Sequence, residues 1–408
     1  MVFTPRMVAA LLGVVVSAHA VHARDYRVTV ASADVDRAAQ VIGFKFPADA
    51  PKSAVLRGPG GLVLPVQTGA DGEATFVLPL QRAGETVALT LSAAGGSDAE
   101  RGVEVRKEDG RLQVRVEGRM AFVYQMDRDA LPRSGIKPEF KRAGYLHPVY
   151  SPSGKIVTDD YPSNHVHHHG IWTPWTKTKF QGRSPDFWNM GAKTGLEDFL
   201  KLDRTWDGPV HGGFEARLQM VDLSAPKPVA ALNETWRVTS YRMAATGGAA
   251  PVNVFDLEVT QTCATGDPLI LPEYHYGGFG IRGADAWNGP GAAALFLTSE
   301  GVSDRVAGNN TRARWCFLGG RLDGAIAGTA VLGHPANFRA PQPLRLHPNM
   351  PYFSYVPQQL GEFAIEPGKP YAARFRFVTS DGAPDRARID AFWQGYARPA
   401  NVTLALVP

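Results

Sequence analysis

The stretch "VFDLEVTQT", Val254 to Thr262, decides how this chain is read. Phe255, Leu257 and Val259 alternate with Asp256, Glu258 and Thr260. Successive side chains of a strand point to opposite faces, so this alternation describes a strand with one face buried. "FEARLQMV" repeats it, with Phe214, Ala216, Leu218 and Met220 set against Glu215, Arg217 and Gln219. "RLQVRVEG", "ALNETWRV" and "YAARFRFVT" follow the same rule, and Gly and Pro clusters punctuate the runs at short intervals. One-sided strands with short connections build antiparallel sheets that pack face to face. The expected fold is therefore all-β: a large antiparallel β-sandwich domain over residues 101–408, preceded by a small Ig-like β domain over residues 24–100.

The small domain draws its strands from "YRVTVAS", "GLVLPVQ", "ATFVLPL" and "TVALTLSA". The Gly/Ser-rich "SAAGGSDAE" behind them reads as a linker. One short C-terminal helix is expected in "APDRARIDAFWQGYAR". There Ile389, Phe392, Trp393 and Tyr396 fall near helical spacing and form an aromatic stripe that caps a sheet.

The chain has 408 residues, more than one ordinary domain. Its 43 basic and 39 acidic residues nearly balance, and without a Lys/Arg block they give no electrostatic case for nucleic acid. Residues 1–23 read as a secretory signal: Arg6, then apolar "MVAALLGVVV", then an A-x-A site at Ala18-His19-Ala20. That run is too short to span a bilayer and no later segment resembles a span, so a periplasmic or secreted protein is expected. Cys263 and Cys316 each sit in a strand-like segment; a disulfide and two buried thiols both stay open.

Chemistry concentrates in "DDYPSNHVHHHGIWTPW", Asp159 to Trp175. In an extended backbone His165, His167 and His169 share one face and His168 takes the other. The pair His165 and His167 can present two neutral imidazoles to a divalent metal, with a third ligand from His275, His334 or Glu273. Unligated imidazoles acting as acid, base or hydrogen-bond donor are the competing reading, and plain packing the third. "LPEYHYGGFGIRG", Leu271 to Gly283, offers the aromatic faces and polar tips of Tyr274, His275 and Tyr276. Its Gly277, Gly278 and Gly280 permit a bulge or close backbone approach, and Arg282 can grip a carboxylate or phosphate. A plain bulged strand with core aromatics would read the same way. "LGHPANFRAP", Leu332 to Pro341, is a loop exposing His334, Asn337 and Arg339, the last equally suited to a surface ion pair. "GRSPDFWNMG" adds Asp186, Trp188 and Asn189. Trp172, Trp175 and Trp188 beside hydrogen-bonding groups suit a sugar ring, which needs an apolar face to stack on, although core packing is the commoner role for any one tryptophan.

These segments together resemble the PmoA-like family, a secreted bacterial domain of unknown function of the DUF6807 type. The likeness covers roughly Tyr145 to Gly382. "YLHPVYSPSGKIVTDDYPSNHVHHHGIW" is similar to the family's Y-x-H-P-x-x-x-P-x-G followed by H-P-H-H-R-G-[LI]-W. "DFWNMG", "GGFGIR" and "LGHPANFRAP" are similar to its D-F-W, G-G-x-x-x-R and D-H-P-x-N-x-R-x-P segments. By position the resemblance carries over to His147, His165, His167, His168, Trp172, Arg282, His334, Asn337 and Arg339. Val166 departs from the usual Pro, His169 from an Arg, and Leu344-Arg345-Leu346-His347 from W-H-x-R. The resemblance implies a β-sandwich of the type seen in sugar-processing proteins. It does not make the chain a methane monooxygenase subunit, which needs hydrophobic spans that this sequence lacks.

The expected function is that of a carbohydrate-active protein, a lyase or hydrolase, with a carbohydrate or other small molecule as substrate. His167, His168 and His275 would move protons, and Arg282 and Arg339 would hold negative charge. His147, Trp172, Trp188, Asn189, Tyr274, His334 and Asn337 would bind substrate. Asp159, Asp160, Asp186 and Glu273 do not pair in sequence as the two carboxylates of a glycosidase, which favours His-based or lyase-type chemistry. The alternatives are a metal-dependent oxygenase or hydrolase built on His165 and His167, and a non-catalytic carbohydrate-binding protein.

Overall fold

A computed structural model describes residues 24–95, 102–244, 248–289 and 294–407. The expected signal segment lies outside the described residues, as does most of the expected linker.

The alternation read in the sequence builds two eight-stranded sheets, all of whose pairings are antiparallel. The long-stranded sheet runs Gly195–Trp206, His211–Asp222, Val229–Tyr241, Val252–Cys263, Tyr371–Asp381, Ala325–Gly333, Trp315–Leu322 and Ala294–Thr298. The short-stranded sheet runs Leu344–Leu346, Tyr352–Tyr355, Phe279–Arg282, Ile171–Trp172, Tyr145–Val149, Arg119–Gln125, Arg111–Val116 and Val103–Glu108. Phe255, Leu257 and Val259 point into the space between the sheets with Phe214, Ala216 and Leu218. Phe255 stacks on Phe377 with ring centroids 4.5 Å apart and meets Phe122 of the other sheet at 4.6 Å. Phe279 meets Phe375 across the same gap at 4.6 Å. Interdigitation of large rings at this density makes the two sheets one core.

The outer face of the long-stranded sheet is not simply polar. Val254, Trp315, Phe317, Leu332 and Val378 form a second apolar layer. The helix Arg386–Ala397 covers it with Ile389, Phe392 and Trp393, and Asp385 caps the helix by accepting from the Arg388 amide. Asp256 points into this layer and takes two hydrogen bonds from Arg376, at 2.7 and 2.8 Å. Arg376 also donates to the Ala39 carbonyl at 2.7 Å, and Tyr241 donates to Asp256 at 2.9 Å. A polar alternate of the opening stretch thus becomes a buried tie between the sandwich and the first residues of the chain.

Those first residues form a five-stranded and a three-stranded sheet around Val28, Val30, Ile42, Phe44, Phe76, Leu89 and Leu91. The edge strand of the five-stranded sheet is Val402–Leu406, paired in register from Tyr26–Leu406 to Val30–Val402. Cys263 and Cys316 are free thiols, the second fully buried. No helix among the described residues is long and apolar enough to cross a membrane.

Candidate functional site

The histidine run is not an extended strand. The His165 amide donates to the Pro162 carbonyl at 3.0 Å and the His168 amide to the His165 carbonyl at 2.9 Å, so two tight turns follow one another. Pro162, Ser163 and Asn164 are turn formers, which is why the local chemistry overrides the alternation. The turns redistribute the side chains. His165, His167 and His168 converge, with ring centroids 5.6, 5.0 and 4.7 Å apart. His169 turns inward instead: its Nδ1 lies 2.8 Å from Asp160, between the rings of Tyr145 and Tyr161. The run leaves the turns through Gly170, where a Cβ would lie 2.2 Å from the Leu146 carbonyl oxygen, so only glycine lets the chain rejoin the sheet there.

The three converging histidines line a pocket of about 180 Å³ together with Thr176, Trp188, Asn189, Tyr274, Tyr276, His347 and Met350. Trp188 and Asn189 are held by Asp186, which accepts from both of their amides at 2.9 Å. Tyr274 and Tyr276 reach the pocket because the chain bends at Gly277 and Gly278, both with positive φ. A Cβ on Gly278 would lie 2.5 Å from the Tyr355 carbonyl oxygen, so the expected close backbone approach is present. Beneath the pocket His168 rests on Tyr352, Trp172 and Trp188, at 4.9, 5.4 and 6.0 Å.

Electrostatically the pocket is a set of neutral imidazoles. Burial, reinforced by neighbouring imidazoles and Arg282, lowers His167 to about 4. Burial, then Arg345, His165, Arg282 and Arg305, lowers His347 to about 4 as well. His168 falls well below its ordinary value and His165 is lowered, both chiefly by burial. The Asn349 amide donates to His347 Nδ1 at 3.1 Å, which puts the proton of the neutral ring on Nε2. Nδ1 of His165, Nδ1 of His168 and Nε1 of Trp188 are buried without a partner among the described residues, as are Trp172 Nε1 and Tyr352 Oη below them.

Other expected residues lie elsewhere. Arg282 is fully buried one layer behind the pocket. It donates to Asn288 at 2.8 Å, to Asn164 at 3.3 Å and to the Met350 sulfur at 3.1 Å, with Asp159 at 3.9 Å. It therefore braces the loops that carry His165 and Met350 rather than facing the pocket. Burial raises Asp159, and likewise Asp160, to about 6. His147 is also behind the pocket, its Nδ1 3.0 Å from Thr158 Oγ1. His275, expected to move protons, is exposed and does not line the pocket; its ring meets those of Tyr274 and Tyr276 at tilted angles, centroids 4.4 and 4.6 Å away. Trp175 is buried, donating to Gln261 at 2.8 Å.

The "LGHPANFRAP" loop does not join the histidines. His334 and Asn337 line a separate pocket of about 160 Å³ with Arg314 and Trp393. Asn337 exchanges two hydrogen bonds with the Arg374 backbone, at 2.9 and 2.8 Å, and so extends a strand edge. Arg339 donates to the carbonyls of Pro357 and Gly361 at 2.8 and 2.7 Å and clamps that turn.

For a metal, no group of three or more His, Cys, Asp or Glu among the described residues stands in a metal-holding arrangement. His165 and His167 meet edge to face. His347 is the pocket residue least legible in sequence. The segment Leu344-Arg345-Leu346-His347 keeps the residue types of the resembled pattern only in part and in another order, and only the pairing of its strand with Tyr352–Tyr355 brings it beside His165, ring centroids 6.1 Å apart.

Fold and site together define a two-sheet β-sandwich protein with a histidine- and aromatic-lined pocket at the short-stranded sheet. The chain belongs to the family of unknown function DUF6807, whose model matches residues 111–394. The PmoA-like label is not part of that match. Among curated proteins none matches. Among solved structures the chain is similar to a protein in glycosyl hydrolase family 38 from Enterococcus faecalis, at 9% identity and a TM-score of 0.40, covering 95% of this chain and 48% of that one. It is also similar to an alpha-mannosidase from Enterococcus faecalis V583, at 9% identity and a TM-score of 0.37, covering 94% and 46%. The chain thus spans about half the length of the solved structures it matches.

Proposed function

We propose that the histidine pocket binds a sugar-sized polar molecule and acts on it by proton transfer, in an exported carbohydrate-active protein. The observation that carries this reading is the unpartnered buried polar atoms of three pocket-lining residues, His165, His168 and Trp188, beside the aromatic faces of Tyr274 and Tyr276. A buried donor or acceptor left unpaired costs about 1–3 kcal/mol, so a lining of this kind favours a ligand rich in hydroxyls with an apolar face. The volume, about 180 Å³, is below the ~300–1,000 Å³ of drug-sized sites and suits one ring at a time.

The chemistry follows from the lining. Among the described residues no carboxylate lines the pocket, and Asp186 is occupied by the amides of Trp188 and Asn189 and the side chains of Thr176 and Asn189. Paired-carboxylate hydrolysis is therefore not what these residues offer. His167 is neutral near pH 7 and is free to accept a proton, while His347 presents its Nε2 proton as a donor. A neutral imidazole base and a hydrogen-bond donor in one pocket support lyase-type elimination, in which His167 takes up the proton and His347 Nε2–H bonds the oxygen on which negative charge develops.

The test is turnover of a glycan panel followed by mass spectrometry, with and without chelator, for the full chain and for His167→Ala. Loss of about 100-fold or more in His167→Ala with retained binding is expected. Binding without turnover of any glycan by the unsubstituted chain would sink the catalytic reading, and loss of turnover in chelator would sink the metal-free one.

A further inference from the structure

Two cations flank the aromatic wall of the pocket. Lys177, next in the chain to the pocket-lining Thr176, lies over the Tyr274 ring, 5.3 Å from its centroid. Arg345 lies over the Tyr276 ring at 4.9 Å and donates to the Tyr276 hydroxyl at 3.0 Å. It also donates to the neutral Asn309 side chain at 3.2 Å, and its Nε is buried with no partner among the described residues. Neither cation forms an ion pair among the described residues, unlike Arg314 with Asp390 or Arg376 with Asp256.

Two of the carboxylates nearby are engaged elsewhere. Asp186 accepts four hydrogen bonds, and the half-buried Asp159 faces Arg282 at 3.9 Å. Glu273, adjacent to Tyr274, is exposed and pairs with neither cation. Arg305 adds positive charge from behind, donating to the carbonyls of His347, Pro348 and Met350. Unbalanced cations around a small recess concentrate anions there.

We propose that the ligand of this pocket is an acidic sugar whose carboxylate meets Lys177 and Arg345 at the tyrosine rim while its ring seats against Trp188 and the histidines. The proposal rests on the sugar reading above and deepens it. Arg345 and Lys177 take the anion-holding role that the sequence suggested for Arg282 and Arg339, which the structure commits to carbonyls and loop bracing.

The experiment is titration calorimetry of the full chain with three probes: a galacturonate oligomer, its neutral galactose counterpart, and a non-sugar carboxylate of equal charge. The uronate is expected to bind about tenfold tighter than the neutral oligomer, as a hydrogen bond to a charged group commands. That advantage shrinks with added salt and in Lys177→Gln and Arg345→Gln. Lys177 is exposed, so its substitution reads the charge without disturbing the fold. Equal binding of the neutral and acidic oligomers overturns the acidic-sugar proposal and leaves the sugar reading standing. Equal binding of the non-sugar carboxylate and the uronate, with none of the neutral sugar, overturns both. So does binding of none of the three.

Discussion

At the scale of single residues, the histidines separate by what each imidazole touches. His169 is spent on Asp160 and packs between tyrosines, whereas His165, His167 and His168 keep nitrogen atoms for the pocket. Of the residues carried by the resemblance, His165, His167 and His168 line this pocket, whereas His147, Arg282, His334, Asn337 and Arg339 do not. Burial holds the pocket imidazoles neutral, and this has a measurable consequence. A histidine near 6.5 in the unfolded chain and near 4 when folded takes up its proton more readily unfolded between those values. Its contribution to stability is whole above about pH 6.5 and is lost as pH falls toward 4. Asp159 and Asp160, raised to about 6, act in the opposite sense, favouring the fold below the ordinary carboxylate range and losing that contribution as pH rises through 6. The comparison that isolates the histidines is thermal melting of the unsubstituted chain against His167→Asn/His347→Asn. The difference in Tm should move in favour of the variant by about 2–4 °C from pH 7 to pH 4.5. A difference that stays constant with pH would mean that these rings are not held neutral.

At the scale of elements, periodicity was a good guide wherever a strand had a face to bury. The runs at Phe214–Met220 and Phe255–Val259 place their apolar residues in the interior as their spacing requires. The helix carrying Phe392 and Trp393 follows from its spacing in the same way. Periodicity failed at the histidine run, because turn chemistry at Pro162–Asn164 outweighs alternation over so short a stretch. The glycine pair was legible as a bend, but its partner was not: Gly278 approaches Tyr355, a residue far along the chain. Gly278→Ala is expected to cost about 1–3 kcal/mol in denaturant unfolding, from the positive φ and the contact with a backbone oxygen that cannot swing away. It should also weaken ligand binding through Tyr274 and Tyr276. An unchanged midpoint would show that the bend is not under this constraint.

At the scale of the whole molecule, the tie between layers is the Asp256–Arg376 pair, reaching the Ala39 carbonyl on one side and the Tyr396 ring, 4.6 Å from the guanidinium, on the other. Asp256→Ala leaves a buried guanidinium without its counter-ion and is expected to cost about 3–5 kcal/mol in equilibrium unfolding. Asp256→Leu combined with Arg376→Met should cost clearly less, since no charge is then stranded. Equal losses in the two variants would assign the effect to packing alone. By itself the sequence determined the all-β class, the buried faces of the strands and the C-terminal helix, because period, turn residues and composition are local properties. Tertiary structure alone decided that Trp188, Tyr276 and His347 line one pocket with the histidine run while Arg339 and His334 do not. Pocket membership depends on which strands pair across long loops, and a strand's pairing partner is set by the burial of the whole core, not by the residues next to it in the chain.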